Sequence, residues 1–321
     1  MRVLVTGASG YLGGRISQYL SFNGYEVIAL VRDSSRLDTW NHQRIEVIEG
    51  DIQDEELKNN LASKNIDSVV YTISLNHKQC EENIEKTIGV NVTPMWELLK
   101  ILSQAGLKRF IYFSTQHIYG RLPLQRIDEN FTPKPLNNYG LTHLMCEHVC
   151  QLLNSRTDTK CINLRLSNGY GAPQFNSCDC WSLVINDFCK TAFEEREIRL
   201  QSDGTPQRDF IHISDICNAL NLLLQTDSNS LEHTNYHLGS GQTYTMLELA
   251  HIVANVYQKK YHQPIPVVFS DGRVSKNAQL HSSIEKFQYD IQRISSLGYE
   301  IHVNLETGIS EVFDFLNTFS S

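Results

Sequence analysis

One short segment near the start of the chain, Thr6-Gly7-Ala8-Ser9-Gly10-Tyr11-Leu12-Gly13, constrains the fold more than any other. It follows an apolar run at 3–6 that reads as a buried strand. It opens an amphipathic stretch, 11–22, that stops at Asn23-Gly24. Each glycine has a separate task in such a turn. Gly7 permits the tight reversal, Gly10 lets backbone N–H groups approach a ligand, and Gly13 lets the helix pack close to the strand. The helix start then offers unpaired N–H donors and partial positive charge to an anion. Strand, glycine spacing and helix together predict a βαβ unit. It would cradle the pyrophosphate of a dinucleotide through Gly7, Ser9, Gly10, Tyr11, Leu12 and Gly13.

The same alternation continues. Apolar runs at 27–31, 45–49, 68–72, 109–114 and 160–166 are separated by helical stretches, the longest at 82–105 and another at 139–153. Strands this apolar are parallel strands covered on both faces, with right-handed crossovers. The expected class is therefore α/β, a doubly wound parallel Rossmann sheet. The second half is less regular. It reads as a loop at 173–182, strands at 209–213 and 236–238, and helices at 215–224 and 245–257, with Glu248 placed for a capping box. A last amphipathic helix carries Leu305, Ile309, Val312 and Phe313 on one stripe. No repeat or linker divides the chain. Residues 1–166 and 209–240 are assigned to the dinucleotide-binding domain. Residues 167–208 and 241–321 are assigned to a smaller α/β substrate-binding lobe at the sheet's carboxyl edge.

Charge narrows the partners. The formal net charge is -8 over 321 residues, and no Lys/Arg-rich run could track a phosphate backbone, so nucleic acid is not an expected partner. No apolar stretch approaches the roughly 18 residues of a membrane span, and the start is not a signal peptide. The expected location is the cytoplasm. The 8 Cys are scattered. Cys178-Asp179-Cys180 lacks the second pair a zinc site needs, and no metal is expected. Cys146 and Cys150 share a helix face, and all are read as free thiols.

The second strand ends Val31-Arg32-Asp33, with Ser34, Ser35 and Arg36 following. A carboxylate at a strand end here would hold the ribose 2′-OH of NAD, whereas an arginine suits the 2′-phosphate of NADP. Val31 and Arg32 favour NADP. Asp33 argues for NAD, and stacking of Arg32 on the adenine stays open. Further along, Thr115 closes the strand at 109–114, and Tyr139 opens the following helix in Tyr139-Gly140-Leu141-Thr142-His143. A hydroxyl at a strand's carboxyl end, facing a tyrosine on the next helix, suits proton exchange with a substrate oxygen during hydride transfer.

These motifs, with Arg165-Leu166-Ser167-Asn168-Gly169-Tyr170-Gly171, Arg208-Asp209-Phe210-Ile211-His212-Ile213-Ser214-Asp215 and the closing Leu297-Gly298-Tyr299, resemble one family over nearly the full chain. It is the extended branch of the short-chain dehydrogenases/reductases, similar to UDP-glucose 4-epimerase. The resemblance implies Tyr139 as general acid/base and Thr115 as the hydroxyl that holds the substrate oxygen. It implies Asp51 and Ile52 on the adenine side, Ser74 in the loop under the pyrophosphate, and Asn91 within a helix as a stabiliser of the site. Asn168 would bond the substrate's phosphate or sugar and Arg208 its diphosphate. Asn76, Gln116 and His117 would reach the sugar, with His77 beside them. Asp215 is read as a helix cap.

Two departures matter. His143 stands where the family has the lysine that binds the nicotinamide ribose and lowers the tyrosine pKa. Gln116 and His117 replace the Asp-Glu pair of the sugar dehydratases, which disfavours elimination. The reading is a 4-epimerase of a nucleoside-diphosphate sugar, using NAD or NADP with NADP favoured. A second reading is an NADPH-dependent 4-keto reductase. A third is a cofactor-binding homologue with weak or no turnover because of His143. The resemblance also implies a homodimer through helices 82–105 and 139–153.

Overall fold

The computed structural model describes residues 1–37, 40, 44–275 and 285–318. Its first half alternates strand and helix as β1 (Arg2–Thr6), α1 (Tyr11–Phe22), β2 (Glu26–Val31), β3 (Ile45–Glu49), α2 (Glu55–Ala62), β4 (Ser68–Tyr71), α3 (His77–Glu82), α4 (Ile84–Asn91), α5 (Thr93–Gln104), β5 (Arg109–Thr115), β6 (Arg126–Ile127), α6 (Asn138–Asn154) and β7 (Lys160–Leu166). The second half is β8 (Asn168–Tyr170), α7 (Val184–Glu195), β9 (Ile198–Leu200), β10 (Gln207–His212), α8 (Ile213–Gln225), β11 (Asn235–Leu238), β12 (Thr243–Thr245), α9 (Met246–Tyr261), β13 (Val267–Phe269), β14 (Gln288–Tyr289), α10 (Gln292–Ser295) and α11 (Leu305–Thr318).

Alternation along each strand builds two cores. In β1, Val3 and Val5 face one layer while Leu4 faces the other. In β2, Val27, Ala29 and Val31 join the first and Ile28 and Leu30 the second. Buried on both faces, the strands pair in parallel as β11-β7-β5-β4-β1-β2-β3. This is the doubly wound sheet expected from sequence. The order reverses between β1 and β4, and ligands of such sheets bind beyond the carboxyl ends at that point. No helix among the described residues is long and apolar enough to cross a membrane.

The stretch 82–105 is not one helix. Asn83 is extended (φ -161°) and caps α4 by accepting from Lys86 N, while α5 restarts at Thr93-Pro94. Proline lacks the N–H that would continue the ladder of α4. Asn91 therefore ends a helix instead of lying within one. The strand expected at 209–213 is β10. It pairs with β8 and, antiparallel, with β12 in a three-stranded sheet apart from the large one. The helices α7, α9 and α11 pack together over this lobe, with Ile309, Val312 and Phe313 inside. The Thr245–Glu248 capping box forms as the sequence predicts. Asp215 does not cap α8. His212 does, and the Asp215 carboxylate instead accepts from His302 N and Val303 N, tying the C-terminal segment to the lobe.

Candidate active site

The glycine loop lies at the switch point. Gly7 has φ +65°, and Gly10 N donates to Gly7 O at 2.9 Å to close the turn. A Cβ on Gly13 would stand 2.3 Å from Gly7 O, so only glycine lets α1 approach β1 this closely. Gly10 begins α1 without any side-chain cap, which leaves the first-turn N–H groups to an anion. This cradle fits a pyrophosphate. Tyr11 and Ser9 are also tied to the lobe: Tyr11 OH donates to Gly171 O at 3.1 Å, and Cys178 Sγ donates to Ser9 O at 3.6 Å. Ile52 is buried, and exposed Asp51 turns its carboxylate to Gln53 N at 2.9 Å.

At the end of β2, Val31 is buried and Arg32 is exposed. No described residue hydrogen-bonds or ion-pairs with the Arg32 side chain. Asp33 caps the short turn Ser34–Arg36, accepting from Ser35 N at 3.0 Å and Ser35 Oγ at 2.6 Å. Glu49 accepts from Ser34 N and Oγ.

Tyr139 lies in the first turn of α6, half-buried, opposite the end of β5. Burial pushes its phenol up to about 12, against the pull of a hydrogen bond with Thr115. The structure thus brings the two expected hydroxyls together. Helix α6 is fixed there by a buried ion pair. Arg165 Nη2 meets Glu147 Oε2 at 2.7 Å, and Ser114 Oγ donates to Glu147 at 2.6 Å. Gly140 is obligatory, because a Cβ would stand 2.5 Å from His117 O.

His143 packs its ring edge-on to Tyr139, centroids 4.5 Å apart, and is only 4% exposed. Both its nitrogens are engaged. Nδ1 lies 2.7 Å from Tyr112 OH and Nε2 lies 3.2 Å from Ser74 Oγ. Burial holds its pKa down at about 3. At neutral pH this imidazole is uncharged, so it cannot replace a lysine as a cation beside the phenol. Ser74 belongs to the loop after β4, which Asn91 also holds: its Oδ1 accepts from Leu75 N at 2.9 Å and its Nδ2 donates to Thr142 at 3.1 Å. Asn76 caps α3 in a capping box with Gln79.

Two more histidines approach Tyr139. His117, half-buried, meets it edge-on at 5.7 Å between centroids, and exposed His77 lies 6.2 Å from Tyr139 and 6.1 Å from His117. Burial, Arg208 and His77 hold the His117 pKa down at about 4. Beyond His117 opens a cavity of about 490 Å³ lined by Gln116, Arg121, Leu122, Gln207, Arg208 and Phe287 among others. Arg208 is half-buried and, among the described residues, donates only to its neighbour, Gln207 O, at 2.8 Å, with no carboxylate in ion-pairing range. Burial lowers its pKa. An unneutralised guanidinium in a cleft is suited to an anionic ligand. Asn168, on β8, donates to Asp209 O at 2.8 Å beside it.

Tyr112 and Asn137 escaped the sequence reading. Tyr112 lies within a wholly apolar strand pattern and carries no local signal. Asn137 had one, an Asx residue just before a helix: its Oδ1 caps α6 through Gly140 N at 2.7 Å, and its Nδ2 reaches His77 Nε2 at 3.1 Å.

Residues 3–239 match the model of the NAD dependent epimerase/dehydratase family. Among curated relatives, a UDP-glucose 4-epimerase of Bacillus subtilis is 26% identical over 297 residues, 85% of this chain and 86% of that protein. A UDP-glucose 4-epimerase of Corynebacterium glutamicum is 25% identical over 98% of this chain and 95% of its own. Among solved structures, the UDP-glucose 4-epimerase of Thermotoga maritima with UDP-glucose superposes with TM-score 0.84 at 22% identity over 100% of both chains. A UDP-glucuronic acid 4-epimerase of Bacillus cereus with UDP-glucuronic acid and NAD gives 0.79 at 22% identity over 99% of both.

Proposed function

This chain belongs to the NAD dependent epimerase/dehydratase family, and we propose that it epimerises a nucleoside-diphosphate sugar at C4 by reversible oxidation of the C4 alcohol. The observation that carries this reading is the meeting of Thr115 and Tyr139 at the carboxyl end of β5, beside His117, which lines a cavity together with Arg208. A nicotinamide dinucleotide on the glycine loop supplies the hydride acceptor and donor. Tyr139 takes the proton of the C4 hydroxyl as the ketone forms and returns it on reduction. Thr115 holds the same oxygen, so that one geometry serves both half-reactions. Arg208 holds the diphosphate end, and Asn168 orients the sugar side of it. Epimerisation then requires only that the ketone present its other face while the diphosphate stays anchored.

NADP is the cofactor we assign. Buried Val31 offers no carboxylate to a ribose 2′-OH, and Arg32 has no competing partner among the described residues. A second reading, net reduction of a 4-keto sugar, draws on one observation. Burial keeps the Tyr139 phenol protonated beside a neutral His143, poised as an acid toward a ketone. Helices α4 to α6 also expose Ile84, Trp96 and Leu141, and a homodimer paired there is part of the proposal. A monomer mass by light scattering counts against it.

The test is a panel of nucleotide sugars with NAD and with NADP, followed by nicotinamide absorbance and by NMR of the product. An epimer formed with no net absorbance change supports the first reading, and stoichiometric consumption of NADPH supports the second. No conversion of any sugar, or conversion that persists in Tyr139→Phe, overturns both.

A further inference from the structure

Gln116 follows Thr115, and the backbone is fixed at that point. The short turn Gln116–Tyr119 is capped by the Thr115 side chain, which accepts from His117 N at 3.2 Å. Gly120 N donates to His117 O at 3.2 Å and closes the turn with φ +68°. A Cβ on Gly120 would stand 2.3 Å from Lys134 O, so only glycine ends the turn this way. Gln116 is thereby held in the wall of the cavity of about 490 Å³, only 5% exposed.

Its amide is incompletely bonded. Gln116 Oε1 is shut off from solvent and has no hydrogen-bond partner among the described residues. Gln207, the other amide lining the cavity, has both ends engaged. Its Nε2 donates to Glu285 O at 2.7 Å and its Oε1 accepts from Phe287 N at 3.2 Å. A buried acceptor without a donor destabilises the free protein, and a ligand that brings the donor restores the bond. The lining limits which ligand group can do so. Its cations, Arg121 and Arg208, suit phosphate or carboxylate oxygens, and no carboxylate among the described residues lines it. Ionised groups of that kind only accept, so they cannot satisfy Oε1. A hydroxyl can, since it both donates and accepts. It also serves the amide turned end for end, and the last torsion of a glutamine is soft enough to turn without moving the backbone.

We propose that Gln116 selects the sugar by binding a hydroxyl that flanks C4, so that the substrates are nucleoside-diphosphate hexoses carrying that hydroxyl and not their deoxy counterparts. The inference rests on the reading of Thr115 and Tyr139 as the groups at the C4 oxygen. The residue next to Thr115, in the wall of the adjoining cavity, then meets a substituent beside that oxygen. Two hydroxyls fit this description, on C3 and on C6. Their chemistry is the same, and analogues lacking one or the other tell them apart.

The experiment reads binding by calorimetry in the full chain loaded with its dinucleotide. The probes are UDP, UDP-glucose and the 3-deoxy and 6-deoxy analogues of UDP-glucose. The wild type should bind one deoxy analogue about 10- to 100-fold more weakly than UDP-glucose and the other nearly as well, which identifies the hydroxyl held. Gln116→Met, of similar size and without the amide, should weaken UDP-glucose by the same factor, leave UDP unchanged, and no longer distinguish the two analogues. Without sugar the variant should melt about 2 °C higher, because the unpartnered oxygen is gone. The proposal is overturned if UDP-glucose is not bound, if the wild type ignores both missing hydroxyls, or if Gln116→Met keeps the discrimination. Loss of the dinucleotide in Gln116→Met, with sugar binding intact, would give the oxygen to the nicotinamide amide and also overturns it. Conversion is read separately, by NMR of the product. Discrimination through Gln116 without an epimer refutes the assigned reaction and leaves the hydroxyl contact standing. An epimer without that discrimination refutes the contact and leaves the reaction standing.

Discussion

The Ser74 hydroxyl stands 3.2 Å from His143 Nε2 and the Tyr112 hydroxyl 2.7 Å from its Nδ1, so both ring nitrogens are engaged while burial keeps the imidazole neutral. The position that could carry a cation beside Tyr139 carries none. A lysine there would place an ammonium within reach of the phenol, and an opposite charge at such range lowers a pKa by about 1–3 units. His143→Lys is therefore expected to raise kcat at neutral pH and to move the acidic limb of its pH profile, on which the phenol ionises, down by a similar amount. Circular dichroism confirms the fold alongside. A lower kcat in a folded variant would show that the imidazole itself is needed.

The proposed assignment of NADP rests on Arg32. Its side chain is exposed, without a partner among the described residues, beside two carboxylates already occupied by Ser34 and Ser35. A charge-assisted pair with a phosphate contributes about 1.5–3 kcal/mol. Arg32→Ala should thus weaken NADP binding by about 10- to 100-fold and leave NAD nearly unchanged, as read by calorimetry with each dinucleotide. Equal loss for both would place Arg32 on the shared adenine face.

Gly13 and Gly89 make a matched pair. A Cβ on Gly13 meets backbone atoms at 2.3, 2.8 and 2.9 Å, and backbone cannot swing aside as a side chain can. Gly13→Ala should push α1 from β1, cost about 1–3 kcal/mol, and abolish dinucleotide binding. Nothing lies within 4 Å of a Cβ on Gly89, in α4, so Gly89→Ala should add about 0.5–1 kcal/mol through helix propensity. Thermal denaturation separates the two. A neutral Gly13→Ala would mean that the helix start can slide.

What could be read in advance follows from how local each signal is. The glycine turn, the buried strands and the Thr245–Glu248 box are specified within a few residues of one another, and each appears in the structure. The break at Val92 was also written locally, in Thr93-Pro94, but the apolar periodicity on either side masks it. The state of His143 could not be read from its neighbours in sequence. It depends on Tyr112, 31 residues away, and Ser74, 69 away, and only the sheet brings them together. Asp215 went astray for the same reason, since its carboxylate reaches residues 87 and 88 positions on.

Acid should expose the buried histidines. His143 and His237 are both held at about 3, each by burial first. His237 keeps its neutral form through Nδ1–H to Asp290 O at 2.8 Å and Nε2 from Tyr119 OH at 2.5 Å. Their unfolded value is near 6.5, so below it the unfolded chain binds protons that the folded chain refuses, and stability falls with falling pH. Above pH 6.5 both states are neutral and the two side chains add no slope. Between 6.5 and 3 each contributes about 1.4 kcal/mol per pH unit. His117 and His212, held at about 4, act in the same direction. Between pH 6 and 5, before most carboxylates titrate, urea denaturation should therefore lose close to the sum of the four. His237→Gln should remove about a quarter of that slope while lowering stability at pH 7.5. Stability unchanged between pH 7 and 5 would mean that these imidazoles are protonated in the folded chain, against their hydrogen bonding.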